Sequence, residues 1–292
     1  MTTGSRLGRA ARLLRRHPLI FVGGSVVFFV VFLTVFAEFL APYGPVEPVP
    51  GRSLEPPSWA HPLGTNNLEY DMLSRVIYGG RVPLIVAFLA SSLSLLLGVL
   101  LGWISGYFGG LLDRALSLLM DAMYSFPALI LAIAIVAVLG PGVVNMIVAI
   151  FIVYIPTYFR VVRGQVLQVR ELEFIEAGRA IGLGHGRILL RHIAPNTLPS
   201  VLTIVPFNIA DAILTEAALS FLGLGLPPTV NPGDLWAADW GADIQTGQRF
   251  LQGGHWWLIT FPGLMIIFVS LGFGLLGEGI NDLLNPHRRS RS

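Results

Sequence analysis

The 292-residue chain contains no cysteine. Disulfides, thiolate nucleophiles and cysteine-based metal centres are therefore excluded. It also contains no lysine, so all 19 of its basic residues are arginine. A phosphate loop of the form GxxxxGK[ST] cannot be written without lysine. The glycine-rich stretch Gly106-Tyr107-Phe108-Gly109-Gly110 is thus read as a tight turn and not as a nucleotide cradle. Charge of either sign is scarce. Charged residues make up 12% of the chain and hydrophobic residues 54%, with a mean hydropathy of +0.71. An ordinary soluble domain carries roughly 25% charged residues. This balance is that of an integral membrane protein.

What the chain has instead is long uncharged runs. Leu19 to Ala37 is one of them, about 28 Å long as a helix and enough to cross a bilayer. A signal peptide would have a shorter apolar centre and a small-residue cleavage site, so an uncleaved first span is preferred. Further spans are expected at Val82–Ile104, Ala115–Leu139, Val143–Phe159, Leu198–Leu226 and Trp256–Leu276. Gly140-Pro141-Gly142 turns the chain between the third and fourth. Backbone inside a bilayer must be bonded within its own segment, so the spans are read as helices and the protein as all-α with six of them. The resulting division is a basic tail at 1–17, a first transmembrane helix at 18–41, an outer loop at 42–81, a five-helix core at 82–280 and a tail at 281–292. Within the core lie an inner loop, 170–199, and an outer loop, 227–255.

The net charge is only +2, but its placement carries information. Arg6, Arg9, Arg12, Arg15 and Arg16 crowd one terminus, Arg288, Arg289 and Arg291 the other, and six more fall between Arg160 and Arg191. Six spans put both termini on one side. With that side cytoplasmic, 15 arginines face inward and four, Arg52, Arg75, Arg81 and Arg249, face out. The clusters abut apolar spans, which favours membrane flanks over nucleic-acid binding. Trp256 and Trp257 stand where aromatic rings anchor at the headgroup level.

Catalytic chemistry finds little support. The six histidines, His17, His61, His185, His192, His255 and His287, fall in tails, loops or span edges, which argues against a serine–histidine protease inside the membrane. His61 has no neighbouring His or Cys and is read as structural, not as a metal ligand. Asp211 and Glu216 are five residues apart, about 140° round a helix, so they make a poor catalytic pair. Asp211 falls near the membrane midplane, where a charge costs about 2.5–3.5 kcal/mol, and is expected to face protein or water. Asn208, Asp211 and Thr215 stand at i, i+3 and i+7 and share one polar stripe.

The segment from Arg170 to Pro199 reads RELEFIEAGRAIGLGHGRILLRHIAPNTLP and is the long polar interruption of the second half. Good helix formers run to Ile181; Gly182, Gly184 and Gly186 then allow a sharp turn. A second short helix from Arg187 to His192 is limited by Pro195 and Pro199. The expectation is a compact knuckle at the membrane surface. Glu176-Ala177-Gly178, then Gly182 and Pro195, resembles the Glu-Ala-Ala loop of binding-protein-dependent ABC importers. Gly178 stands where that loop has a third Ala, and Ala194 where many members have Leu. RILLRHIAPN, HPLGTN at 61–66, DMLSRVIYG at 71–79, EAALSFLGLG from Glu216 and GEGINDLLNP at 277–286 resemble the peptide and nickel branch of the same family. Asn66 and Asn67 replace acidic residues there, and Glu69-Tyr70 takes the place of Gly-Arg.

The resemblance implies a type I ABC importer permease with the MetI-like fold, of the C type found in dipeptide and oligopeptide importers. It implies a second homologous permease, two ATPase subunits, an extracytoplasmic substrate-binding protein and a bacterial inner-membrane location. ATP and magnesium would be used by the ATPases, and this chain would bind neither. The knuckle would dock into a cleft on an ATPase through Glu176, Ala177, Gly178, Arg179, Gly182, Arg187, Arg191 and Pro195. Low bulk at Ala177, Gly178 and Ala180 suits close docking. The stripe Asn208–Asp211–Thr215 is expected to line the translocation path or to bond a neighbouring helix, and Glu216 to serve helix contacts or gating. Trp236 and Trp240 are candidate contacts for the binding protein, with lipid or the partner permease as the alternative. Nickel-chelate and glutathione importers share this subunit type, and no residue decides among the solutes. A passive channel is a further alternative, and it would have no need of the knuckle.

Overall fold

The computed structural model describes residues 18–49, 51–225 and 236–284. Both tails, and residues 226–235 of the second outer loop, lie outside the described residues. The chain is a bundle of helices named here in order: α1 (Pro18–Val35), α2 (Met72–Tyr78), α3 (Arg81–Phe108), α4 (Gly110–Tyr124), α5 (Ala128–Leu139), α6 (Val143–Val169), α7 (Glu173–Ala180), α8 (Ala194–Phe221), α9 (Trp240–Gln248) and α10 (Trp257–Leu284). Five stretches are long and apolar enough to cross a membrane: Pro18–Val35, Met72–Phe108, Val143–Val169, His185–Phe221 and Trp257–Leu284.

The expected third span is where sequence and structure differ most. It is not one helix from Ala115 to Leu139. α4 and α5 meet at 92° across a break at 125–127. Pro127 supplies no N–H and disfavours helical backbone at Phe126, so the run of apolar residues continues while the helix does not. α4 starts at Gly110, and Gly109 and Gly110 are both at positive φ (67° and 64°), as the turn reading expected. Arg163 Nη2 on α6 holds the Asp113 carboxylate at 2.8 Å, fixing α4 against the bundle.

α3 and α6 form the central seam. Gly98, Gly102 and Gly106 recur every fourth residue on α3 and face Tyr158, Val162 and Val166 on α6. A Cβ on these glycines would stand only 2.6, 2.9 and 2.8 Å from the Cβ atoms of those three residues. The absence of side chains lets the two backbones approach, the way small residues work inside bilayers. Ser94 Oγ reaches the seam, where its one proton is shared between the Ala90 carbonyl of its own helix at 2.7 Å and the Phe151 carbonyl of α6 at 2.8 Å. α1 rests on α10 by the same device. A Cβ on Gly23 would meet the Gly272 carbonyl at 2.6 Å, and one on Gly279 would meet Ile20 N at 2.7 Å.

Several spans extend beyond their apolar runs. α6 continues past Phe159 to Val169, and α10 past Leu276 to Leu284. The helical hydrogen-bond ladder does not stop at the bilayer surface, whereas hydropathy does. Pro195 and Pro199 likewise fail to end the helix before them. His185–Ile188 passes through a π-helical turn, Leu189–Ile193, directly into α8. Pro195 lies at the start of α8, where its missing N–H is tolerated.

Candidate functional site

The knuckle is built from its buried side outward. Ile175, Ile188 and Ile193 are all at most 1% exposed and pack with Tyr107, Val162, Val166 and Val169 at the ends of α3 and α6. Each such isoleucine contributes about 1.5–3 kcal/mol by leaving water. Polar contacts add to this. Arg170 Nη1 donates to the Gly106 carbonyl at 2.8 Å. The Tyr107 hydroxyl lies 2.8 Å from His185 Nδ1, and the Arg179 guanidinium sits 5.6 Å from the Tyr107 ring centre. The knuckle is thereby fastened to two membrane helices and is continuous with a third, α8.

α7 ends in a Schellman motif. Leu183 N donates to the Gly178 carbonyl at 3.0 Å and Gly182 N to the Arg179 carbonyl at 3.0 Å. That closure needs Gly182 at φ 79°. Among the three glycines of the turn it alone has positive φ; Gly184 is ordinary extended backbone at φ −65°. Leu183 folds back over Gly178, where a Cβ would stand 3.3 Å from Leu183 Cδ1. Gly178 is therefore buried and does not present low bulk to a partner, contrary to the expectation from sequence. Glu176, Ala177, Arg179, Ala180, Gly182, Arg187, Arg191 and Pro195 are exposed. Sequence reasoning passed over Phe174, Ile181 and Leu190, which are 45%, 78% and 64% exposed on the same knuckle. Apolar residues inside a polar loop carry no signal of facing outward until the turn is folded.

The polar stripe on α8 is split by its surroundings. Thr215 is buried, its Oγ1 3.1 Å from the Tyr154 hydroxyl on α6. Asn208 is also buried, next to the Tyr158 hydroxyl on α6. Asp211 is exposed to a cavity of about 360 Å³ lined by Tyr124, Pro127, Tyr154, Thr157 and Asn208. That cavity opens at the break between α4 and α5.

At the end of the bundle away from the knuckle, Glu216 is fully buried and faces Ser220 and Asp239. Trp240 is buried as well. Its Nε1 donates to the Val76 carbonyl at 2.8 Å, and its ring lies against Gly79 and Gly80. It is an internal pin between α9 and α2 and, with no exposed surface, cannot be a contact anchor; that expectation is corrected. Trp236 is half-buried and lines a second cavity, about 380 Å³, with Tyr70, Arg75, Asp239, Asp243 and Arg249. Trp257, expected at the headgroup level, is buried and donates to the Thr65 carbonyl at 3.1 Å; Trp256 is half exposed. His61 Nδ1 pairs with Asp71 Oδ1 at 3.0 Å, while Asp71 Oδ2 caps α2 through Ser74 N at 2.8 Å. Among the described residues no cluster of His, Asp and Glu suited to a metal ion occurs.

Comparison with known proteins places this helical membrane bundle in a family. Residues 98–290 match the family described as the binding-protein-dependent transport system inner membrane component. Residues 5–57 match the N-terminal TM domain of oligopeptide transport permease C. The chain belongs to this family of multi-pass ABC-importer permease subunits. The dipeptide transport system permease protein DppC of Alkalihalophilus pseudofirmus is 37% identical over 96% of this chain and 90% of its own length. The probable D,D-dipeptide transport system permease protein DdpC of Escherichia coli is 34% identical over 94% and 89%. The glutathione transport system permease protein GsiD of Pectobacterium atrosepticum is 34% identical over 96% and 90%. In fold, the chain is similar to the inward-facing MetNI methionine ABC transporter, with a TM-score of 0.58 at 18% identity, covering 73% of this chain and 98% of the other.

Proposed function

We propose that this chain is one of two permease subunits of an ATP-driven importer for di- or oligopeptides. Its work is conformational: it carries the closure of partner ATPases into a change of access along the membrane path. ATP and magnesium act on those ATPases, and an extracytoplasmic binding protein delivers the solute. The observation that carries the reading is the build of the knuckle. Its exposed face, Glu176, Ala177, Arg179, Ile181 and Leu190, is backed by three buried isoleucines against α3 and α6 and runs into α8. Such a unit moves as a piece, so a push on it is a push on the helices. The peptide solute rests on relatives whose names specify dipeptides, at 34–37% identity over more than nine-tenths of this chain. A glutathione importer is the second reading, favoured by the likeness to GsiD. On this reading the knuckle and both termini are cytoplasmic, as the arginine asymmetry supports. Asp211 and its cavity at the α4–α5 break belong to the path.

Reconstitution with the partner permease, ATPases and binding protein should give ATP-dependent uptake from a labelled peptide panel. Hydrolysis without uptake of any peptide or of glutathione would refute the assignment. The native absence of cysteine allows a clean test of sidedness. Trp59, fully exposed, and Ile181, 78% exposed, can each be replaced by cysteine. An impermeant maleimide should label Trp59→Cys on intact cells and Ile181→Cys only after permeabilisation.

A further inference from the structure

Three carboxyl groups are buried together where α8 meets α9: Glu216, Asp239 and Asp243, which are 0%, 2% and 6% exposed. Asp243 has a counter-charge. Arg75 Nε and Nη2 reach its Oδ1 at 2.8 and 2.6 Å. Glu216 and Asp239 have none among the described residues. The elements around them bring little that could neutralise them. α2 contributes Arg75, already engaged. α6 contributes Met146, whose Sδ is 3.8 Å from Ser220 Oγ, and Tyr154, which bonds Thr215. α3 opens with Arg81, which turns instead to Glu38 at 3.2 Å. α5 has no titratable residue, and α10 has none before Glu278. The adjoining cavity adds Tyr70 and Arg249, the latter without an ion pair among the described residues.

Proton counting then decides the state of the pair. Ser220 Oγ lies 3.0 Å from Glu216 Oε1 and 2.6 Å from Asp239 Oδ2. A hydroxyl has one proton to donate. It can satisfy one carboxylate; the second contact is a hydrogen bond only if that carboxyl carries a proton and donates to Oγ. The shorter contact has the length of an O–H···O⁻ bond, which assigns the hydroxyl proton to Asp239. Asp239 Oδ1 also accepts from Gly241 N at 2.7 Å, as the cap of α9. Glu216 Oε2, by contrast, is buried and meets no donor, and the Glu216 carboxyl has the Asp239 carboxyl itself as a direct neighbour. An ionised Glu216 would leave charge on an oxygen with no donor, the costlier arrangement; a neutral acid leaves only a carbonyl.

We infer that Glu216, Ser220 and Asp239 form a buried proton-binding site, in which protonated Glu216 donates to Ser220 Oγ and the Ser220 hydroxyl donates to ionised Asp239, fastening α9 to the membrane helix α8. The backbones are already in close contact there: a Cβ on Gly241 would stand 2.5 Å from the Ala217 carbonyl. Loss of the proton sets two like charges on either side of one hydroxyl inside protein, and α9 is driven away from α8. Burial also pushes the Asp239 carboxyl above its ordinary range, the direction of a pair that retains a proton. The contribution to stability is complete at acidic pH and is lost as pH rises through the titration of the folded pair. The site depends on the fold alone, whatever solute is carried.

The test uses the assembled permease pair in lipid nanodiscs. Infrared spectra at neutral pH should contain the carbonyl stretch of a protonated carboxyl that is absent from Glu216→Gln. The melting temperature of the wild type should fall on alkalinisation, and that of Glu216→Gln should fall less, because the amide mimics the neutral acid. Should that variant not assemble, Asp239→Asn serves: removing the ionised neighbour should shift titration of the infrared band to lower pH. Absence of a Glu216-dependent band, an unaltered alkaline fall in Glu216→Gln, or an unmoved titration in Asp239→Asn would overturn the site. Exchange of sodium and potassium for choline at constant ionic strength should leave melting unchanged. A rise specific to the metal cations, without the band, would assign a cation in place of the proton and overturn it equally.

Discussion

Replacing Gly182 by valine tests whether the knuckle must be rigid. The position is open: a Cβ there meets nothing within 4 Å. Whatever the substitution does therefore comes from the backbone and not from a clash. Gly182 sits at φ 79° and closes the Schellman turn through the bonds from its own N–H and that of Leu183. An L-residue in left-handed backbone costs about 1–2 kcal/mol, and β-branched residues tolerate it least. That is a factor of about 5–30 in the population of the closed turn. With the turn open, Leu183 leaves Gly178, and α7 loses its fixed relation to the segment that continues into α8. In reconstituted vesicles, Gly182→Val should retain ATP hydrolysis while uptake per ATP falls by up to that factor. Gly182→Asn should remain close to wild type, because asparagine enters the left-handed region at little cost. Normal coupling in Gly182→Val, or an equal loss in both variants, would refute the reasoning.

Gly98→Ala should destabilise the α3–α6 seam by about 1–3 kcal/mol, since its Cβ meets the Ile155 carbonyl at 2.9 Å as well as Tyr158. Gly164→Ala, on the same pair of helices but with open space around it, should instead raise the melting temperature slightly; tryptophan-fluorescence melting compares the two. Asp211→Asn should leave assembly and melting unchanged and alter the uptake of charged peptides, which a peptide series differing in charge measures; identical kinetics across the series would remove Asp211 from the path. A photo-crosslinker at Trp236 should capture the binding protein during turnover, whereas one at Trp240, buried against Gly79 and Gly80, should capture only this chain.

The sequence by itself determined the class. Hydropathy is a local property, so the runs of apolar residues located five spans directly. The spacing of Glu176, Gly182 and Pro195 located the knuckle, because a turn motif is written in consecutive residues. The α4–α5 break was legible only in part: Pro127 is visible in the sequence, but a proline can also lie inside a helix that continues, as Pro156 and Pro206 do here. What tertiary structure decided were the pairings across long separations. Arg75 meets Asp243, Trp240 meets Val76 and Trp257 meets Thr65, each more than 160 residues apart in the chain. Nothing local marks Gly178 as covered by Leu183, Trp240 as a buried pin, or Glu216 and Asp239 as partners across one hydroxyl. The side of a helix that a residue occupies follows from its position in the sequence. What lies opposite that side is set by close packing between elements, and only the folded bundle fixes it.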